Sequence, residues 1–192
     1  HADEADPVLI LEQLADDGAQ ERCLILQIHD VTARRQAEAR LQHIAFHDGL
    51  TNLANRGRFV EALEDAIDAG ERDRRERYAV LFLDFDRFKL INDSMGHSAG
   101  DAFLIQVSRR IQDHVRPGDV VARLCGDEFA VLLHQVAEES AATNMAERLQ
   151  QAYATPVLIN DTEVQTGASI GITCSDVGYA LADDVLRDAQ LA

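Results

Sequence analysis

The chain has 192 residues, 46% of them hydrophobic and 27% charged, which is the balance of a soluble globular protein able to bury a core. A formal net charge of −16 excludes a general nucleic-acid binder, which needs clustered Lys and Arg, but leaves room for a nucleotide handled through a divalent cation. Three widely spaced cysteines (Cys23, Cys125, Cys174) argue against a disulfide framework and fit a reducing compartment. No apolar run reaches the ~20 residues of a membrane helix, and the acidic start is unlike a signal peptide. A cytoplasmic location is therefore expected, with any membrane anchor left to a longer parent.

Two strand-like runs, residues 8–12 and 23–28, flank a polar turn containing Asp16-Asp17-Gly18 and predict a hairpin. A helical run follows to about Phe46, with Asp30 or Thr32 as its cap and Leu41, Ile44 and Ala45 as an apolar stripe. After the turn-rich stretch 48–56 comes a helix with Phe59, Leu63, Ala66 and Ile67 at helical spacing and Gly70 beyond its end. The run Ala79–Leu83 reads as a central strand buried on both faces, and it ends in Asp84-Phe85-Asp86. A loop over Asn92–His97 leads to a helix from about Ala99 to Val115, stopped by Arg116-Pro117-Gly118-Asp119. Two apolar strands then surround Gly126-Asp127, a hairpin tip. A helix over 138–153, a small hairpin over 157–164, a last strand over 166–173 and a helix from about Leu181 complete the chain.

Residues 78–173 therefore spell β-α-β-β-α-β, a ferredoxin-like α+β (α/β) core with an antiparallel sheet and helices on one face. In that topology the first two strands are parallel and the third runs back between them. The exit of the first strand, Asp84, then lies beside the turn Gly126-Asp127-Glu128. Carboxylates converging on a sheet edge have three readings: a general acid/base pair, a site for Mg²⁺ and a phosphate, or solvated strand ends. No His or Ser stands in a nucleophile–base relation, and Lys89 is nearby. The residues thus favour metal-assisted phosphoryl or nucleotidyl transfer.

Four segments carry a family resemblance: Asp48-Gly49-Leu50-Thr51-Asn52-Leu53-Ala54-Asn55-Arg56, Asp84 through Asp101, Cys125-Gly126-Asp127-Glu128-Phe129, and Ser169-Ile170-Gly171-Ile172. In order and spacing they resemble the GGDEF domain of diguanylate cyclases, from about residue 46 to the C-terminus. The resemblance implies a palm-type cyclase core that condenses two GTP into cyclic di-GMP and two pyrophosphates across a homodimer. It implies Asp84, Asp127 and Glu128 as catalytic residues, with Mg²⁺ (or Mn²⁺) held by Asp84, Asp127 and the carbonyl of Phe85. Glu128 is left between supporting the metal and taking a proton. Asn92 and Asp101 are expected to read guanine, with Phe88, Lys89, Arg123 and Gly126 also contacting substrate. Arg116 and Asp119 match the family's RxxD site for inhibition by product, although the same residues also read as a helix stop. No nucleic-acid polymer is expected as a partner.

The hairpin and helix before residue 48 resemble the end of a PAS sensor domain (1–33) and a linker helix (34–47), or else are an ordinary N-terminal hairpin and helix. Three departures from the GGDEF pattern stand out. Cys125 replaces the first glycine of the turn, where φ is expected to turn positive and a side chain to cost on the order of 1 kcal/mol. Asn52 stands where glycine is usual. The domain, taken as 48–192, stops before the family's Tyr, Lys and Gly-Arg turn, as if truncated ahead of an EAL phosphodiesterase domain. The alternative function is a GTP- or cyclic di-GMP-binding module that regulates such a phosphodiesterase without turnover.

Overall fold

The structure, a computed structural model, describes residues 32–138 and 140–192. The chain divides into two units, His1–Ala45 and Phe46–Ala192. The expected N-terminal hairpin lies outside the described residues. Helix α1 spans Thr32–Phe46, with Leu41 and Ile44 of its expected stripe exposed.

The second unit carries α2 (Arg56–Arg72), β1 (Tyr78–Phe85), α3 (Phe88–Met95), α4 (His97–His114), β2 (Val120–Cys125), β3 (Glu128–His134), α5 (Ser140–Tyr153), β4 (Val157–Ile159), β5 (Thr162–Val164), β6 (Ala168–Cys174) and α6 (Ala182–Leu191). The main sheet has the order β2-β3-β1-β6, with every neighbouring pair antiparallel. β3 does run back between β1 and β2, as the ferredoxin-like reading requires, and β4–β5 form the small added hairpin.

Helices cover both faces of the sheet, not one. Strand alternation explains how. Ala79, Leu81, Leu83 and Phe85 pack with Phe103, Val107 and Ile111 of α4 and Leu149 and Tyr153 of α5. Tyr78, Val80 and Phe82 pack instead with Phe59 and Leu63 of α2 and Val185 and Leu186 of α6. The one-face expectation holds for the crossover helices of the repeat; α2 and α6, which lie outside it, supply the second layer. This is why β1 is buried at every position but one, and the exception is Asp84.

Two local expectations also change. The segment 92–95 is helix, not loop, because Phe88, Ile91 and Met95 of α3 form an apolar stripe on the α4/α5 side of the core. Gly70 lies inside α2, which runs on to Arg72 and closes with the Asp73 N–H donating to the Ala69 carbonyl.

Candidate active site

The site starts from the β1/β3 register. Asp84 is paired directly with Glu128 across the two strands, and on its other side with Ser169 of β6. Glu128 follows the two-residue tip Gly126-Asp127, so three carboxylates share one sheet edge. By alternation Asp84 continues the face of Tyr78, Val80 and Phe82, at the point where the α2/α6 layer ends. Asp84 is exposed, but its partial desolvation at the strand end pushes the carboxyl above its ordinary range, and the charges of Asp127, Glu128 and Asp86 push it the same way. A group so placed gains from a cation. All the donors are hard oxygens, and Mg²⁺ takes only one or two carboxylates and fills the rest of its shell with water and substrate phosphate. The donor set of Asp84, Asp127 and the Phe85 carbonyl fits that demand, although among the described residues no three His, Cys, Asp or Glu side chains form a ready cage. Asp86, which the sequence reading left without a role, accepts a hydrogen bond from the Ser169 hydroxyl (3.4 Å).

The turn itself corrects one expectation. The positive φ falls on Gly126 (50°), and Cys125 is not among the residues with positive φ. Cys125 therefore carries no left-handed strain. Its thiol donates to Glu128 Oε2 (2.8 Å), while Gln190 of α6 donates to Oε1 (3.3 Å). The hydrogen bond to Glu128, burial and the Glu128 and Asp127 charges raise the thiol pKa to about 11. A thiol held protonated is a poor nucleophile, which argues against redox work at this position. A register shift between Arg123 and Cys125 bulges β2 just before the tip.

The tip is braced from a distance. Arg123 donates through Nε to the Gly126 carbonyl (2.9 Å) and through a terminal nitrogen to Asp48 Oδ1 (3.1 Å). Asp48 Oδ1 also accepts from the Thr51 backbone (2.8 Å) and hydroxyl (2.7 Å). The 48–54 segment is pinned to β2 by Ala54 N–H to the Val121 carbonyl and Arg123 N–H to the Ala54 carbonyl. Arg123 thus braces the turn, with only 15% of its side chain exposed. Asn52, at φ 61°, does adopt the left-handed conformation that glycine would take. Sequence reasoning missed the Asp48–Arg123 partnership, since nothing local links residues 75 apart.

The expected base-reading residues sit on the α3–α4 corner. Arg87 starts α3 in the left-handed region (φ 62°), a strained start beside the acidic edge. Phe88 stacks on Phe103 (5.9 Å), and Gly96 (φ 87°) turns the chain so that α4 packs back against α3. Asn92 on α3 thereby lies over Gly100 of α4, next in sequence to Asp101. Lys89 and Asp101 are exposed.

Comparison with known proteins bears on this arrangement. The family model for the GGDEF domain of diguanylate cyclases matches residues 45–192. The chain belongs to the GGDEF family. It is 39% identical over 188 residues to the diguanylate cyclase TpbB of Pseudomonas aeruginosa, covering 95% of this chain and 42% of that protein. It is 41% identical over 165 residues to the bifunctional diguanylate cyclase/cyclic di-GMP phosphodiesterase MucR of the same organism, covering 86% of this chain and 23% of that one. The chain thus spans well under half the length of these relatives. Among solved structures, the GGDEF domain of TpbB superposes with TM-score 0.71 at 40% identity, over 74% of this chain and 88% of that one. The coiled coil and GGDEF domain of DgcB from Caulobacter crescentus, solved in complex with c-di-GMP, gives TM-score 0.75 at 28% identity, over 84% and 85%.

Within this GGDEF domain the Arg116–Asp119 pair lies between α4 and β2. Asp119 is almost wholly buried and accepts from the backbone of His134 (3.1 Å) and of Arg116 (3.3 Å), which ties the β2 start to the β3 end. Arg116 is the exposed partner, 3.5 Å from Asp119. A cavity of about 660 Å³ opens at the far end of the sheet, among Arg74, Arg77, Tyr78, Ser175 and Tyr179. None of the expected nucleotide contacts lines it. The three carboxylates converge at the acidic edge, not at this hollow.

Proposed function

We propose that the chain is a diguanylate cyclase that condenses two GTP into cyclic di-GMP and two pyrophosphates across a pair of copies. The observation that carries the reading is Asp84 set directly opposite Glu128, with Asp127 at the intervening turn. Asp84, Asp127 and the Phe85 carbonyl would hold the divalent cation. Bound Mg²⁺ or Mn²⁺ would offset charge on the α-phosphate and lower the pKa of the attacking hydroxyl.

The chain's own residues do the rest. Asn92 and Asp101 hydrogen-bond the guanine edge, and a site built around those polar atoms leaves them unpaired with adenine. Lys89 contacts phosphate, Phe88 lines the pocket, and Arg123 holds the Gly126 carbonyl so that the tip keeps its shape. The 3′-hydroxyl oxygen of one GTP attacks the α-phosphorus of the other, its proton leaves, and the bond to pyrophosphate breaks. Glu128 supports the cation site or accepts that proton. A second attack in the opposite sense closes the ring, which is why two antiparallel copies are needed. Arg116, anchored by Asp119, is the product site through which cyclic di-GMP restrains the enzyme. GTP supply puts the reaction in the cytoplasm, and the segment before residue 48 is read as the end of a sensor and its output helix.

The test is pyrophosphate release from GTP with Mg²⁺ by the purified protein and by Asp127→Ala. Release by the unaltered protein that vanishes in the variant is expected. Equal release by both would remove Asp127 from the chemistry and the reading with it.

A further inference from the structure

Gly100 closes the first turn of α4, its N–H donating to the Gly96 carbonyl, with helical backbone and outside the set of positive-φ glycines. Glycine there costs roughly 0.5–1 kcal/mol relative to alanine, so backbone freedom does not account for it. Space does. A Cβ built on Gly100 would fall deep inside contact with Asn92 Oδ1, 2.9 Å from Asn92 Cγ and 3.3 Å from the Phe88 ring. The Phe88 ring is held by its stack on Phe103, which leaves Asn92 as the group that must move. The Asn92 carboxamide therefore occupies the volume that a side chain at position 100 would claim.

We propose that Gly100 is a positioning residue for base selection: its missing Cβ seats the Asn92 carboxamide on α4, beside Asp101, in the pose that reads guanine. The inference rests on the reading of Asn92 and Asp101 given above. Because Asn92 is the free end of a flexible side chain, a methyl at position 100 displaces it without breaking the fold. Gly100→Ala separates the two properties: the helix gains propensity while the base reader is swung away. A purely structural glycine would lose stability and leave base preference alone.

The experiment is calorimetric titration of the purified protein with the α,β-methylene analogues of GTP and ATP, which cannot be turned over. Melting temperatures are recorded alongside. The variants are Gly100→Ala, Asn92→Ala and the double variant. Gly100→Ala is expected to melt no lower than the unaltered protein and to lose guanine affinity by roughly tenfold to a hundredfold, the worth of one or two hydrogen bonds to a polar edge. In the Asn92→Ala background the same change should alter affinity by no more than about twofold, since the displaced group is gone. Unchanged guanine affinity in Gly100→Ala would overturn the proposal, as would an effect undiminished in the Asn92→Ala background. A Gly100→Ala that fails to fold would overturn the proposal, since it makes the glycine a structural requirement of the α3–α4 packing. Equal binding of the two analogues by the unaltered protein contradicts the base-reading role of Asn92 itself, a separate result.

Discussion

Asp84 is the one position of β1 left exposed, and it carries an acid whose partial desolvation and acidic neighbours Asp127, Glu128 and Asp86 disfavour its charge. An acid with a raised folded pKa weakens the fold once ionised, so Asp84→Asn should raise the melting temperature of the cation-free protein while abolishing turnover. A variant that melts lower, followed by circular dichroism, would show that the carboxylate cluster is not repulsive. Asp48 has the opposite character. Burial raises its pKa, but hydrogen bonds from the Thr51 side chain and backbone and from Arg123, with the Arg123 charge, outweigh that and leave it lowered. Its contribution is present above the ordinary carboxylate range and is lost as pH falls below about 4. Asp48→Asn should therefore lower stability at pH 7 and flatten the acid end of the melting-temperature profile; parallel profiles would contradict this. The Asp84–turn juxtaposition was legible because strand order alone brings them together. Cys125 was misjudged because turn registers differ by a single residue: the left-handed φ belongs to Gly126. The Asp48–Arg123 brace was invisible, since it joins segments that only folding brings near.

At the scale of elements, α6 is the piece that links core to site. It packs on β1 and β6, and Gln190 near its end donates to Glu128. Its close seat depends on Gly171 of β6, where a Cβ would run into the Ala189 carbonyl, 3.0 Å from its carbon. Gly171→Ala should lift α6 and destabilise the domain by about 1–3 kcal/mol, an overpacking effect measurable by urea unfolding. A variant as stable as the unaltered protein would mean that α6 shifts freely. The sequence pattern read the repeat of strands and crossover helices but not this second layer, because nothing in residues 78–173 says which outside helix covers the other face. It also took 92–95 for a loop, since Asn92, Asp93, Ser94 and Gly96 all favour turns; the stripe of Phe88, Ile91 and Met95 overrode them.

At the scale of the molecule, the proposed reaction assigns each copy one acidic edge, one braced turn and one α3–α4 corner to hold one GTP. On that proposal, a cyclic product with two phosphodiester bonds requires two such half-sites face to face. The rate per chain should accordingly rise with protein concentration until pairing saturates, instead of staying constant as for a self-sufficient active site. The most direct measurement is chromatographic product analysis of the purified protein with GTP and Mg²⁺ across a dilution series. Cyclic di-GMP with two pyrophosphates per product, formed at a specific rate that falls on dilution, is expected. GTP bound but returned unchanged, or hydrolysed to GDP at a rate per chain indifferent to dilution, would contradict the proposal.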